Sequence, residues 1–103
     1  MSSMLHLINK SPLERNALDS CLRLAKTGSS ILLLEDGVYA ALANASDAAT
    51  IAARMEDVSF YVLGPDVSAR GLSDTPLIEG INVVDHEGFV DLVAAHDVTQ
   101  SWL

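Results

Sequence analysis

The chain has 103 residues, which allows one domain spanning 1–103 and excludes a second, since domains usually run to roughly 100–150 residues. Half of the residues are apolar and mean hydropathy is +0.29, rich for a small soluble chain, so part of the surface is expected to be covered by partner subunits. Net charge is -8, from 14 acidic and 6 basic residues, without the clustered Lys and Arg that gripping nucleic acid or an anionic membrane requires.

Short apolar runs alternate with amphipathic stretches, the pattern of a parallel sheet with helical crossovers. Met4 to Ile8 reads as a first strand, apolar on both faces as in a sheet buried between helix layers. Ser11, Pro12 and Glu14 then form a capping box with proline at the first helical position. The helix they open runs to about Lys26, with Leu13, Ala17, Leu18, Cys21, Leu22 and Ala25 as its apolar stripe, and Gly28 ends it.

Ser30 to Leu34 is a second strand, closed by Glu35-Asp36-Gly37. A short helical stretch over Val38 to Leu42 follows, then a helix from Ser46 or Asp47 to Arg54 or Met55. Ser59 to Leu63 is the third strand, ended by Gly64-Pro65. Asp66 caps a short turn that Gly71 stops, and 72–80 reads as a loop. Ile81 to Val84 is the fourth strand. Asp85 caps a last helix, His86 to about His96, with Phe89, Val90, Leu92, Val93 and Ala94 in or near its apolar side. Thr99 to Leu103 is a last short strand or a tail. The expected fold is a small three-layer α/β sandwich on a mostly parallel sheet of four to five strands, joined by right-handed crossovers.

Charge is uneven along the chain. Residues 1–28 hold four basic and two acidic side chains, a net +2, and the remainder carries -10. A single cysteine excludes an internal disulfide and a structural zinc site. No basic-then-apolar leader and no apolar run of about 20 residues is present, so the expected setting is the cytoplasm, without a membrane.

Cys21 is the candidate catalytic residue, because it alone could be a strong nucleophile. As a carrier of sulfane sulfur it would need an exposed thiolate. Against that, its helical neighbours Ala17, Leu18, Leu24 and Ala25 are all apolar, which suits a small core residue better. Glu35-Asp36-Gly37 follows a strand at the end of the sheet where ligands bind in open parallel folds, but Asp-Gly also makes an ordinary turn. Asn9-Lys10-Ser11-Pro12 stands where a dinucleotide fold would place G-x-G-x-x-G, so no nucleotide cofactor is expected. His6 reads as an interior imidazole, and His86 and His96 lie near helix ends without metal-ligand spacing. The only tryptophan, Trp102, should dock, either on its own domain or in a partner.

Several of these segments together resemble one family. Met4-Leu5-His6, Asn9-Lys10-Ser11-Pro12, Leu32-Leu33-Leu34-Glu35-Asp36-Gly37-Val38 and Pro65-Asp66-Val67-Ser68-Ala69-Arg70-Gly71 look like the DsrH/TusB family, in order along nearly the whole chain. The resemblance implies a DsrE-like fold and a subunit of a sulfur-relay heterohexamer with DsrE/TusD-like and DsrF/TusC-like sisters. It implies that the principal persulfide cysteine lies on the DsrE/TusD-type partner and that sulfur passes to a DsrC/TusE-like carrier. DsrH-type members serve oxidation of stored sulfur, and TusB-type members serve 2-thiouridine formation at the tRNA wobble base. A cysteine in helix one, Glu14-Arg15-Asn16-Ala17-Leu18 before it and Leu77-Ile78-Glu79-Gly80 look closer to the DsrH type, so sulfur oxidation is the expected branch. Three roles follow for test: a docking subunit with a silent Cys21, a sulfurtransferase loaded on Cys21, and a small-ligand module on a flavodoxin-like frame.

Overall fold

A computed structural model describes residues 3–12 and 16–102. Five strands make one sheet: β1 (Met4–Ile8), β2 (Ser30–Leu33), β3 (Ser59–Leu63), β4 (Asn82–Val84) and β5 (Val98–Trp102). All neighbours pair in parallel, in the order β4-β3-β2-β1-β5. Helices α1 (Ala17–Leu24), α2 (Ala48–Arg54), α3 (Gly64–Ala69) and α4 (His86–Ala95) and a 3₁₀ helix (Glu35–Ala41) connect them. The three-layer α/β sandwich expected from the apolar runs is the observed fold.

The layers follow from the winding. From β1 to β4 the chain steps in one direction across the sheet, and α1, the 3₁₀ helix, α2 and α3 come down on one face. The last crossover returns to the far edge beside β1. A crossover of the same hand travelling backwards lands on the opposite face, which α4 covers by itself. His96 confirms the placement: its Nε2 lies 2.8 Å from the Ser30 hydroxyl on that face, and its Nδ1 lies 2.7 Å from the Leu92 carbonyl.

The main core lies on the first face. Ile8, Ile31, Leu33, Phe60 and Val62 project from the strands against Leu18, Cys21, Val38, Ile51 and Val67. Burial of each large side chain contributes about 1.5–3 kcal/mol, so this face supplies most of the hydrophobic stabilisation. Leu5, Leu32 and Leu63 are buried on the other face, yet no residue of α4 is buried. Phe89 and Leu92 are half-buried, whereas Val90 is 65% exposed. The sequence places Val90 and Val93 on the apolar side of this helix. The structure leaves both outward, because a helix alone on its face has a neighbour on one side only.

Boundaries differ where side chains intervene. α1 ends at Leu24, with Ala25 already extended. The Arg54 guanidinium reaches across to cap it, bonding the carbonyls of Leu22 and of Ala25 (2.7 Å). Of the expected capping box only Glu14 lies outside the described residues, and α1 begins at Ala17, after Asn16, rather than at Pro12. The second helical stretch begins three residues earlier than the apolar pattern predicts, as a 3₁₀ helix at Glu35. The terminal segment is a full strand, β5, in register from Met4↔Val98 to Ile8↔Trp102.

Gly37 is fixed by close approach. A Cβ at this position would collide with the backbone carbonyl of Ile8. Rigid backbone cannot yield as a flexible side chain does, so Gly37→Ala is expected to destabilise by roughly 1–3 kcal/mol or more in urea unfolding. Gly28 has φ +91° with open space around it. Gly28→Ala should therefore cost only the left-handed backbone penalty, about 1–2 kcal/mol.

Candidate functional site

Three of the family-like segments, Asn9 to Pro12, Leu32 to Val38 and Pro65 to Gly71, are far apart in sequence and lie at the carboxyl ends of β1, β2 and β3. The Leu34 N–H donates to the Ile8 carbonyl (3.0 Å) and extends the β1–β2 ladder into the turn. Glu35 turns the chain with φ +50°, a left-handed conformation uncommon for a residue with a Cβ. Its N–H donates to the Asp66 carboxylate at 2.6 Å. Arg70 then bonds Asp36 through Nε and Nη2, each at 3.0 Å, and the Asp66 carbonyl through Nη1 at 3.3 Å. Asp36 is close to half exposed, so the ion pair itself is worth at most about 1 kcal/mol. Its effect is geometric: it holds the loop after β2 to the helix after β3.

This junction presents an outward Glu35 carboxylate on a rigid base. It offers no phosphate cradle, because its bonds run between its own loops. Among the described residues no group of three or more His, Cys, Asp or Glu could hold a metal ion.

Cys21 is not part of the junction. It is fully buried mid-helix in the core on the first face. Burial pushes its thiol up to about 12, against a modest opposing effect of the Arg54 charge. At neutral pH the thiolate fraction is therefore below about one in ten thousand. In the folded chain Cys21 is expected to resist a water-soluble disulfide reagent and to react rapidly once denaturant is added. Stoichiometric labelling of the native chain within seconds would show that the thiol is open.

His6 and Trp102 form a pair that the sequence does not announce. His6 is 4% exposed, and the Trp102 indole N–H donates to its Nδ1 at 3.0 Å. Indole can only donate, so Nδ1 carries no proton and the ring proton sits on Nε2. The ring centroids are 6.0 Å apart. Trp102 thus docks on its own domain, on the same face as the main core.

Burial holds the His6 pKa below 6.5. As pH falls through 6.5 the unfolded chain takes up a proton at this site and the folded chain does not. Stability is accordingly expected to fall below pH 6.5, by up to about 1.4 kcal/mol per pH unit from one site. Asp57, held low mainly by its hydrogen bond to Arg54, responds only below its ordinary value of 3.8, so the two windows separate. Urea midpoints at pH 7.5 and pH 5.5 check this. His6→Gln should remove most of the difference between them.

Comparison with known proteins agrees with the fold. The model of the family described as DsrH-like protein matches residues 10–99. A Protein TusB from Pectobacterium parmentieri is 35% identical over 99 residues, which is 96% of this chain and all of that protein. A Protein TusB from Pectobacterium carotovorum is 36% identical over 101 residues, with the same coverage. Among solved structures, the ychN protein from E. coli superposes with a TM-score of 0.85 at 18% identity, covering 99% of this chain and 100% of that one. A protein of unknown function from Methanobacterium thermoautotrophicum gives 0.71 at 15% identity, covering 97% and 99%. These two share the fold. The curated relatives carry the TusB name, which favours the TusB branch over the DsrH branch toward which the helix-one cysteine leans. With a family match across most of its length and relatives above 30% identity from end to end, the chain belongs to the DsrH/TusB family.

Proposed function

We propose that the chain is a TusB-like, non-carrying subunit of a cytoplasmic sulfur relay that serves 2-thiouridine formation at the tRNA wobble base. The observation that carries this reading is the end-to-end identity of about 35% to TusB proteins. Dissimilatory sulfur oxidation, the expectation from the helix-one cysteine and the segments Glu14 to Leu18 and Leu77 to Gly80, has less support, because the relatives at about 35% identity are TusB proteins and Cys21 is a buried packing element.

Physical features of the chain support the division of labour. A relay cysteine must be a thiolate that the next thiolate can reach. Cys21 is neither ionised nor accessible, so the persulfide belongs on a partner of the DsrE/TusD type. Sulfur leaves by a TusE-like carrier rather than by contact of this chain with tRNA, since a net charge of -8 repels the phosphate backbone. The sister subunits, of the TusC and TusD type, would cover apolar side chains that the lone chain leaves exposed, Val83 (59%), Val90 and Val93 among them. Patches of that kind mark interaction surfaces.

Expression of this chain in a bacterium lacking TusB, with 2-thiouridine measured by mass spectrometry of digested tRNA, tests the branch. Restored thiolation is expected, and Cys21→Ser should restore it equally. No restoration, with the chain folded and present, would sink the assignment. Intact mass after exposure of the assembled complex to a persulfide donor tests the carrier role. The added sulfur should appear on a partner and not on Cys21.

A further inference from the structure

Among the described residues, the His6–Trp102 pair leaves one hydrogen-bond donor without a partner. Because Nδ1 accepts from Trp102, the imidazole proton is on Nε2, and no described residue accepts from it. Among the described residues the sealed, unpartnered side-chain polar atom is Asn9 Oδ1. His6, although 4% exposed as a residue, borders an open space.

That space is a cleft of about 500 Å³ at the amino ends of β1 and β2, at the opposite end of the sheet from the Glu35–Asp66–Arg70 junction. Its size lies within the range of small-molecule sites, about 300–1,000 Å³. Met4 and Leu24 form apolar walls, Thr27 borders it, and Lys26 is the one charged side chain among the described residues of its lining. None of the described residues that line the cleft is a carboxylate. The nearby acids are already engaged. Asp57 pairs with Arg54 at 3.2 Å and accepts from the Thr27 hydroxyl at 3.4 Å, and Asp97 accepts the Ser3 N–H at 3.0 Å. Arg23, near the end of α1, pairs with Asp19 at 2.9 Å, whereas Lys26, just beyond the helix, has no ion pair among the described residues.

One full positive charge and one fixed N–H donor beside apolar walls define a ligand class. We propose that this cleft binds a small organic monoanion, an apolar body with a single carboxylate. Its head lies between the Lys26 ammonium and the His6 Nε2–H, and its body lies against Met4 and Leu24. A dianion would leave one charge uncompensated in an acidic protein, and a neutral molecule would leave the lysine unused.

Octanoate is the probe, titrated into the full chain at pH 7.5 and followed by calorimetry and by the fluorescence of Trp102, the only tryptophan, whose ring neighbours His6. Saturable binding is expected, with octanol, the same apolar body without the charge, at least about tenfold weaker. Lys26→Ala changes an exposed side chain, so the fold should persist, and it should weaken octanoate by about tenfold or more, as loss of a charged hydrogen bond does. His6→Phe, checked by circular dichroism, should weaken it similarly while octanol is unaffected. No saturable octanoate binding up to its solubility limit would overturn the proposal. Equal binding of octanol and octanoate, unchanged by Lys26→Ala, would overturn it as well.

Discussion

The carbonyl of Ile8 is the point on which the carboxyl end of the sheet depends. It accepts the Leu34 N–H as the last rung of the β1–β2 ladder, and the backbone of residue 37 lies against it. A side chain at 37 would push the loop away from the strand. With glycine there, the 3₁₀ helix starts directly after β2, and Glu35 takes the left-handed conformation that aims its N–H at Asp66. Arg70 then ties Asp36 to the same helix. Three loops from three crossovers become one rigid edge. Individually these contacts are modest, but each fixes the geometry in which the next can form.

The direction of winding explains the uneven exterior. Successive steps from β1 to β4 stack the connecting elements on one face, where apolar side chains fill a continuous core. A single return crossover leaves the other face with one helix. That helix is anchored at its end through His96 and Ser30 rather than by burial along its length. Its outer valines and Val83 on the edge strand β4 stay exposed. A subunit of a larger assembly can carry such a surface, since the missing layer is supplied by association.

Chemistry in this family chain is set by what is sealed. Cys21 is a nucleophile by residue type and a core atom by position, and desolvation outweighs the charge of Arg54. Arg54 itself is committed to capping α1 and pairing with Asp57, so it cannot serve a thiolate. Two groups of polar side chains lie instead at the two ends of the sheet. The junction gathers carboxylates, and the amino-end cleft gathers a lysine and an imidazole N–H.

The sequence by itself determined the parallel α/β architecture, because runs such as Ser30–Leu34 are too apolar for any strand not covered on both faces. It also determined the family, through short segments in order from Met4 to Gly71, and the apolar surroundings of Cys21, which follow from helical spacing alone. Only the tertiary structure decided the rest. The 3₁₀ start at Glu35 depends on contact between residues 8 and 37, and the early end of α1 depends on Arg54, 30 positions beyond Leu24. The tautomer of His6 depends on an indole 96 residues away. Local pattern records which side chains seek burial. Which of them meet, and which polar atoms are left open when they do, is settled by long-range packing that no window of sequence contains.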